Sequence, residues 1–482
     1  MTDQELCYLS ATEAIRLFKA KKLSPVEVLQ AQIQRAEEVE PQINAFCYTF
    51  FDEALAAAKE AEQRYVDGNP RPLEGITLAV KNTHAIRGHS LTNGVIVQKD
   101  LVADKTEPFM QRLLDAGAIV HARTTVPELS MAPVTWGMLW EPTHNPWNLY
   151  YTCGGSSGGS GAALAAGTTT LATGSDIGGS TRIPSSYNGL YGFKPPYGRI
   201  PRKHPMTQVP YAADGPMART FEDALTFQNI VAGPHPNDMA SLKPKLELPT
   251  RFEGIKGWRI AYSMDYGYIE VDPDVRANTE AALKIFESLG ATVEEVELGW
   301  GEQCFNALVA SLGAGVPGGG ATLVWEAGTP DQFTPYIHKF IELSQQYSNK
   351  DLVLAEMTVG EMHDKMRDIF ASGYNVFIAP TLASIGVKAD FDFANDEVII
   401  NGKQIEPILG YTLTYHFNLL NRYPVLAVPS GRARNNVPTS IQIVGTTYDD
   451  ISVFQAGAAY AAAAPPLFTG DAFPDFRNQP VA

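Results

Sequence analysis

The sequence predicts an α/β fold: one large domain in which a mixed, twisted β-sheet is surrounded by helices. Three observations predict it. Amphipathic helical patterns fill residues 9–66. From residue 72 onward, short apolar runs alternate with glycine-rich turns and helical stretches. No tract of low complexity separates the pieces, although length alone would suggest two or three domains. The chain of 482 residues is 45% hydrophobic, enough for one large core. The expected organisation is a single domain over 1–482, with a helical scaffold over 1–70 and a glycine- and serine-rich core over 72–232. The rest of the sheet and pocket-rim loops occupy 233–482.

Each element has a local reason. Ser10-Ala11-Thr12-Glu13 caps a first helix that carries Ala14, Leu17 and Phe18 on one face. Ser24-Pro25-Val26-Glu27 opens a second, with serine at the N-cap and proline in the first turn. Val28, Leu29, Ile33 and Ala36 form its apolar face, and Pro41 is expected to end it. A third helix runs from Glu53 to Tyr65. Ile119-Val120-His121-Ala122 reads as a buried strand. Gly158 to Ala166 reads as a helix of small residues, able to pack closely or to present its N-terminus to a ligand. Residues 234–254 are polar and proline-bearing, a surface loop. Trp258 to Tyr262, Pro273 to Leu289 and Thr292 to Val296 make a strand–helix–strand unit, with Gly290 closing the helix. The cluster Gly313 to Gly320 lacks the Gly-Lys-Ser/Thr ending of a phosphate cradle, so a flexible pocket-rim loop is expected there. Tyr374 to Thr381, Val425 to Pro429 and Ser440 to Gly445 are apolar strands, and the alanine run 459–464 is a helix end stopped by Pro465-Pro466.

Composition narrows the function. The formal net charge of -16 repels phosphate backbones, which disfavours nucleic acid and anionic membranes as partners. Cys7, Cys47, Cys153 and Cys304 are scattered, with no C-x-x-C pair, so no metal or redox motif is supported and reduced thiols are expected. No run of about 18 apolar residues occurs. Met1 to Leu6 has neither the basic nor the apolar region of a signal peptide, so a cytoplasmic location is expected.

The chemistry concentrates in two runs. Gly154-Gly155-Ser156-Ser157-Gly158-Gly159-Ser160-Gly161 is followed by Gly174-Ser175-Asp176-Ile177-Gly178-Gly179-Ser180-Thr181-Arg182. Glycine lets main chain approach a ligand closely, and successive N–H groups aimed at one point suit a developing oxyanion. Upstream, Gly75-Ile76-Thr77-Leu78-Ala79-Val80-Lys81 is an apolar run ending in one lysine. Gly154 to Gly158 also matches the G-x-S-x-G nucleophile elbow. That elbow follows a strand, whereas Asn145 to Tyr151 reads as a proline-broken loop. None of the nine histidines lies in a recognisable triad motif.

Together these segments resemble the amidase signature family of serine hydrolases, whose triad is Ser-Ser-Lys without histidine. Further matches are Gly192-Phe193-Lys194-Pro195, Thr125-Val126-Pro127-Glu128, Asn145-Pro146-Trp147, Gly215 to Thr220 and Ser440 to Gly445, so the resemblance covers nearly the full chain. Ser156 and Ser180 are 24 positions apart, as in the family. The resemblance implies Ser180 as nucleophile, Ser156 in a cis peptide as proton relay, Lys81 as general base, and the N–H groups of Ile177, Gly178, Gly179 and Ser180 as oxyanion hole. The chemistry is coherent, because burial disfavours a charged lysine and a serine hydroxyl both donates and accepts. Asp176 and Arg182 are expected to be a buried pair that braces backbone.

The resemblance also implies a pocket wall at Leu129, Ser130 and Met131. Trp136, Met138, Trp140, Ile177, Tyr191 and the 313–320 segment are added candidates, with Ser130, Met131, Trp136 and Tyr191 the favoured substrate contacts. This apolar inventory points to an acyl or aryl amide, with esters or carbamates as further substrates. No cofactor or metal is expected, and a homodimer is left open. The alternative is the glutaminase subunit of a tRNA-dependent amidotransferase, which carries the same signature. The chain departs from the family's usual residues at Asn82, Thr125, Thr181, Asn421 to Pro424 and Pro438 to Ser440.

Overall fold

The computed structural model of the chain describes residues 1–470 and 472–476. Eleven strands form one sheet. In spatial order they are Phe46–Thr49, Ile119–Thr124, Thr77–Lys81, Leu171–Asp176, Ala213–Ala218, Tyr191–Lys194, Val425–Arg432, Pro438–Val444, Val376–Pro380, Arg259–Tyr262 and Thr292–Glu295. Thr77–Lys81 runs parallel to both its neighbours, and Arg259–Tyr262 likewise. The remaining pairs are antiparallel, so the sheet is mixed as expected. Buried clusters line both faces, one under the helices at either end of the chain and one under the helices of residues 303–371. Among the described residues no single helix is long and apolar enough to cross a membrane.

Local signals set the helix starts. Ser10 Oγ accepts from Glu13 N–H at 3.1 Å, and Ser24 and Glu27 form a reciprocal capping box. Such a cap contributes about 1 kcal/mol. The second helix spans Pro25–Ile43, so Pro41 lies inside it and does not end it. There the proline forfeits its own N–H bond and crowds the carbonyl of Glu37, a cost that the burial of Val39 and Ile43 outweighs. The stop comes from Asn44, at φ +50, whose N–H donates to Glu40 O at 2.9 Å.

Two other expectations are corrected. The glycine cluster is no loop: Gln303–Gly313 and Val316–Glu326 are helices meeting at a 51° bend. Pro317 suits the first turn of the second helix, and a Cβ on Gly318 would stand 2.7 Å from Leu312 O, so packing between the helices selects glycine. The segment before Gly154 forms a hairpin of His144–Asn145 and Asn148–Thr152, so a short strand does precede the G-x-S-x-G run.

Candidate active site

Lys81 ends the third strand from one edge of the sheet, whose five residues are all buried. Its N–H donates to Thr173 Oγ1 at 3.0 Å, and its Nζ lies 2.8 Å from both Ser156 Oγ and Ser175 Oγ. Alternation along Leu171–Asp176 puts Thr173 and Ser175 on one face, toward the lysine. Burial pushes the Lys81 ammonium down to about 7, against the upward pull of Asp214 and Asp176 and with help from Arg202. An ordinary lysine is neutral in only about one molecule in 2,500 at pH 7, whereas one at about 7 is neutral in roughly half. Such an amine beside a hydroxyl can take its proton.

Ser156 has no exposed surface and follows a cis peptide bond at Gly155. Gly155 is required there, because a Cβ would stand 2.6 Å from Ala132 O and collide with Val134 O. The structure supplies a strand before the run and the helix Gly158–Ala166 after it, yet the hydroxyl is sealed against Lys81 instead of standing free at a turn. Ser157 N–H donates to Ser180 O at 3.2 Å, and Ser175 N–H donates to Ser157 Oγ at 3.2 Å. These two bonds stitch the glycine-serine runs side by side.

Ser180 lies on the turn between Leu171–Asp176 and the helix Arg182–Asn188. From Thr152 to Leu190 every residue is buried except Ser175, Ile177, Gly178 and Ser180, so the buried core opens to solvent at this turn. The N–H groups of Ile177, Gly178, Gly179 and Ser180 donate to no acceptor among the described residues. Gly179 sits at φ +128, and a side chain there would collide with Thr414 Oγ1.

Asp176 and Arg182 brace the turn from below. They pair at 2.9 Å with neither exposed, and Asp176 Oδ2 accepts from Thr181 N–H at 3.3 Å. Burial raises the Asp176 carboxyl, but the Arg182 charge and hydrogen bonds from Arg182 and Asn418 outweigh it and hold it below its usual range. Arg182 also donates to Thr414 O, Gln442 Oε1 and Asn418 Oδ1 at 2.8, 2.9 and 2.8 Å. Replacing Arg182 with methionine leaves the Asp176 carboxylate buried and uncompensated. Urea denaturation should therefore show a loss of about 3–5 kcal/mol. A loss within about 1 kcal/mol, by the same estimate, would mean that the pair does not brace the fold.

Three of the departures from the usual residues have partners. Asn82 faces away from the site: its Nδ2 donates to Thr92 Oγ1 at 2.8 Å, and its Oδ1 lies 3.5 Å from Arg123 Nη2. Thr125 Oγ1 meets Thr143 Oγ1 at 2.7 Å. Asn421 Oδ1 accepts from the buried Lys194 Nζ at 2.5 Å, and its Nδ2 donates to Pro210 O and Ala212 O. Nothing in the structure explains the threonine at 181, whose hydroxyl is buried without a partner.

The substrate candidates divide. Leu129, Met131, Trp136 and Ile177 are half-buried and pack on one apolar cluster. Ser130 lies in the same loop at φ +60, its hydroxyl buried without a partner. Trp136 is fixed by its indole N–H, which donates to Phe391 O at 2.8 Å, and by Tyr336, edge-on at 5.2 Å. Glu128 anchors the loop: Oε1 accepts from Met138 N–H, and Oε2 from Thr334 N–H and Oγ1. The others are not brought to this group. Tyr191 packs against Phe221, in the cores under the helix Phe221–Val231. Trp140 stands edge-on to Tyr48, and Met138 is exposed. Sequence reasoning missed Ser175 as a lysine partner, although strand alternation with Thr173 carried the signal, and missed the 406–414 loop, for which no local signal exists.

The family model described as Amidase matches residues 27–454. An acylamidase of Rhodococcus erythropolis is 33% identical over 473 residues, covering 96% of this chain and 97% of that protein. A glutamyl-tRNA(Gln) amidotransferase subunit of Carboxydothermus hydrogenoformans is 36% identical over 301 residues, 61% of each chain. The crystal structure of a bacterial aryl acylamidase of the amidase signature family superimposes with a TM-score of 0.88 at 30% identity, covering 95% of this chain and 96% of that one. With a family model over most of its length and a full-length relative at this identity, the chain belongs to the amidase signature family and is an amide-hydrolysing enzyme.

Proposed function

We propose that this enzyme cleaves an acyl or aryl amide through an acyl-enzyme on Ser180, with Ser156 as proton relay and Lys81 as general base. The observation that carries the reading is the fully buried Lys81 amine 2.8 Å from Ser156 Oγ, its proton affinity brought down to about 7 by burial. Neutral Lys81 takes the Ser156 proton as Ser156 takes that of Ser180. Ser180 Oγ then bonds to the carbonyl carbon, and the oxygen gains negative charge facing the N–H groups of Ile177 to Ser180. As the C–N bond breaks, the proton returns through Ser156 to the departing nitrogen. Water repeats the sequence on the acyl ester, releasing the acid and restoring Ser180. Esters react by the same intermediate.

The apolar group of Leu129, Met131, Trp136 and Ile177 supports an apolar acyl or aryl substrate, as do the activities of the acylamidase relatives. The negative net charge favours a small molecule over a nucleic acid, and a cytoplasmic setting fits the scattered thiols. The proposed relay uses side chains and backbone alone. The purified chain, after exhaustive chelation, should therefore hydrolyse simple acyl anilides without ATP, tRNA or a second protein. Glutaminase activity that appears only with a partner and ATP would assign the amidotransferase role instead. Loss on chelation, restored by a defined metal, would overturn the relay.

A further inference from the structure

Residues 406–414 form a loop seated on the turn that carries Ser180. One end is closed by Glu406, whose carboxylate accepts from the N–H groups of Ile408, Leu409 and Gly410 at 2.9, 2.9 and 3.0 Å. The other end is held by Thr414. Its Oγ1 donates to Gly178 O at 2.6 Å, and its carbonyl accepts from Arg182 Nη1 at 2.8 Å. Between these anchors Leu409 reaches the turn. Its Cδ1 lies 3.2 Å from where a Cβ on Gly178 would stand. The side chain is half-buried, packed on the cluster of Ile183 and Tyr187 and on the core that also carries Met131 and Trp136.

We propose that Leu409 is a specificity-determining residue that limits the size of the acyl group, and that Glu406 is the positioning residue that holds it there. The inference rests on Ser180 as nucleophile. With the carbonyl oxygen facing the N–H groups of 177–180, the departing nitrogen must face Ser156, the source of its proton. The acyl substituent then takes the other side. The loop's hydrogen bonds to the catalytic segments go to Gly178 and Arg182, and none among the described residues goes to 154–157 or to the strand Thr77–Lys81. Leu409 therefore borders the acyl side. Three N–H bonds from consecutive residues to the Glu406 carboxylate fix the turn that carries Leu409, and bonds from Ala383 N–H to Tyr411 O at 2.8 Å and from Leu413 N–H to Thr381 O at 3.1 Å tie the loop to the body of the protein, so a longer acyl group meets a fixed wall. One methylene in such a pocket changes kcat/KM by about tenfold or more.

The test compares 4-nitroanilides of acetic, butyric and hexanoic acid on the full chain. Leu409→Ala should raise the hexanoyl-to-acetyl ratio of kcat/KM by about tenfold or more, and Leu409→Phe should lower it to a similar extent. Glu406→Gln keeps the side chain's size but replaces one acceptor oxygen with an amide. It should flatten the wild-type preference, moving the ratio in the same direction as Leu409→Ala. In a second series, N-acetyl amides of progressively larger anilines, the relative rates should stay within about twofold of wild type. Unchanged acyl ratios in both Leu409 variants, or a shift confined to the amine series, would overturn the proposal. Should Leu409→Ala fail to fold, Leu409→Val and Leu409→Phe carry the same comparison. Failure of the underlying mechanism is read separately, as activity retained in Ser180→Ala.

Discussion

Replacing Ser180 with alanine should reduce amide turnover by about a millionfold, the scale seen when a serine nucleophile is removed, while the protein folds as before. The change removes one hydroxyl at a partly exposed position and keeps the main-chain carbonyl that accepts from Ser157 N–H at 3.2 Å. It also leaves the Asp176–Arg182 brace intact, since neither group bonds the Ser180 side chain. A sulfonyl fluoride or phosphonate should add a single label, on Ser180, with loss of activity in proportion. Ser156 makes a poor target by the same geometry, because its hydroxyl is buried against Lys81. Label on another serine, with turnover retained in Ser180→Ala, would remove the assignment.

The second large effect is at Lys81. With the neutral amine as the proposed base, kcat/KM should be low in acid, rise as pH passes through about 7, and reach a plateau on the alkaline side. The sign follows from burial, which lowers the amine's affinity for a proton and extends the neutral form down to physiological pH. Lys81→Ala should lose about 10,000-fold in kcat/KM. Lys81→Arg should fare no better, because a guanidinium stays protonated and cannot accept. Ser156→Ala should be milder, with water able to bridge the gap left by the hydroxyl. The decisive comparison is the pH–rate profile of wild type beside the residual activity of Lys81→Ala. The same inflection near 7 in both would mean that another group titrates, and the lysine-based mechanism would fail.

Several elements were legible because their causes are local. Ser24 and Glu27 cap a helix through bonds within four residues. The strand–helix–strand unit at 259–295 declares itself through alternating apolar periods and a closing glycine. The lysine and the two glycine-serine runs were readable for a related reason. Close approach and left-handed backbone, as at Gly155 and Gly179, admit one residue type, so the conformation leaves its mark in consecutive letters. The misreadings at Pro41 and Gly318 arose where packing outweighed propensity, and the strand Asn148–Thr152 was hidden by the proline before it. A weak helix former holds when a neighbouring helix needs its missing side chain, and a proline holds in a helix whose burial outweighs the bond it loses.

The residues alone carried the family resemblance, the apolar strands along the chain and the identity of the candidate triad. Its working environment came from contacts between segments far apart in the chain. Lys81 meets Ser175 across 94 positions, Arg182 meets Thr414 across 232, and Leu409 reaches Gly178 from a loop with no motif of its own. Tyr191, beside the signature in sequence, points instead into the cores under the helix Phe221–Val231. Local sequence encodes which backbone conformations a segment tolerates. Sheet register and side-chain packing decide which distant groups share a buried volume, and burial in turn sets the lysine's proton affinity and the shape of the proposed acyl wall.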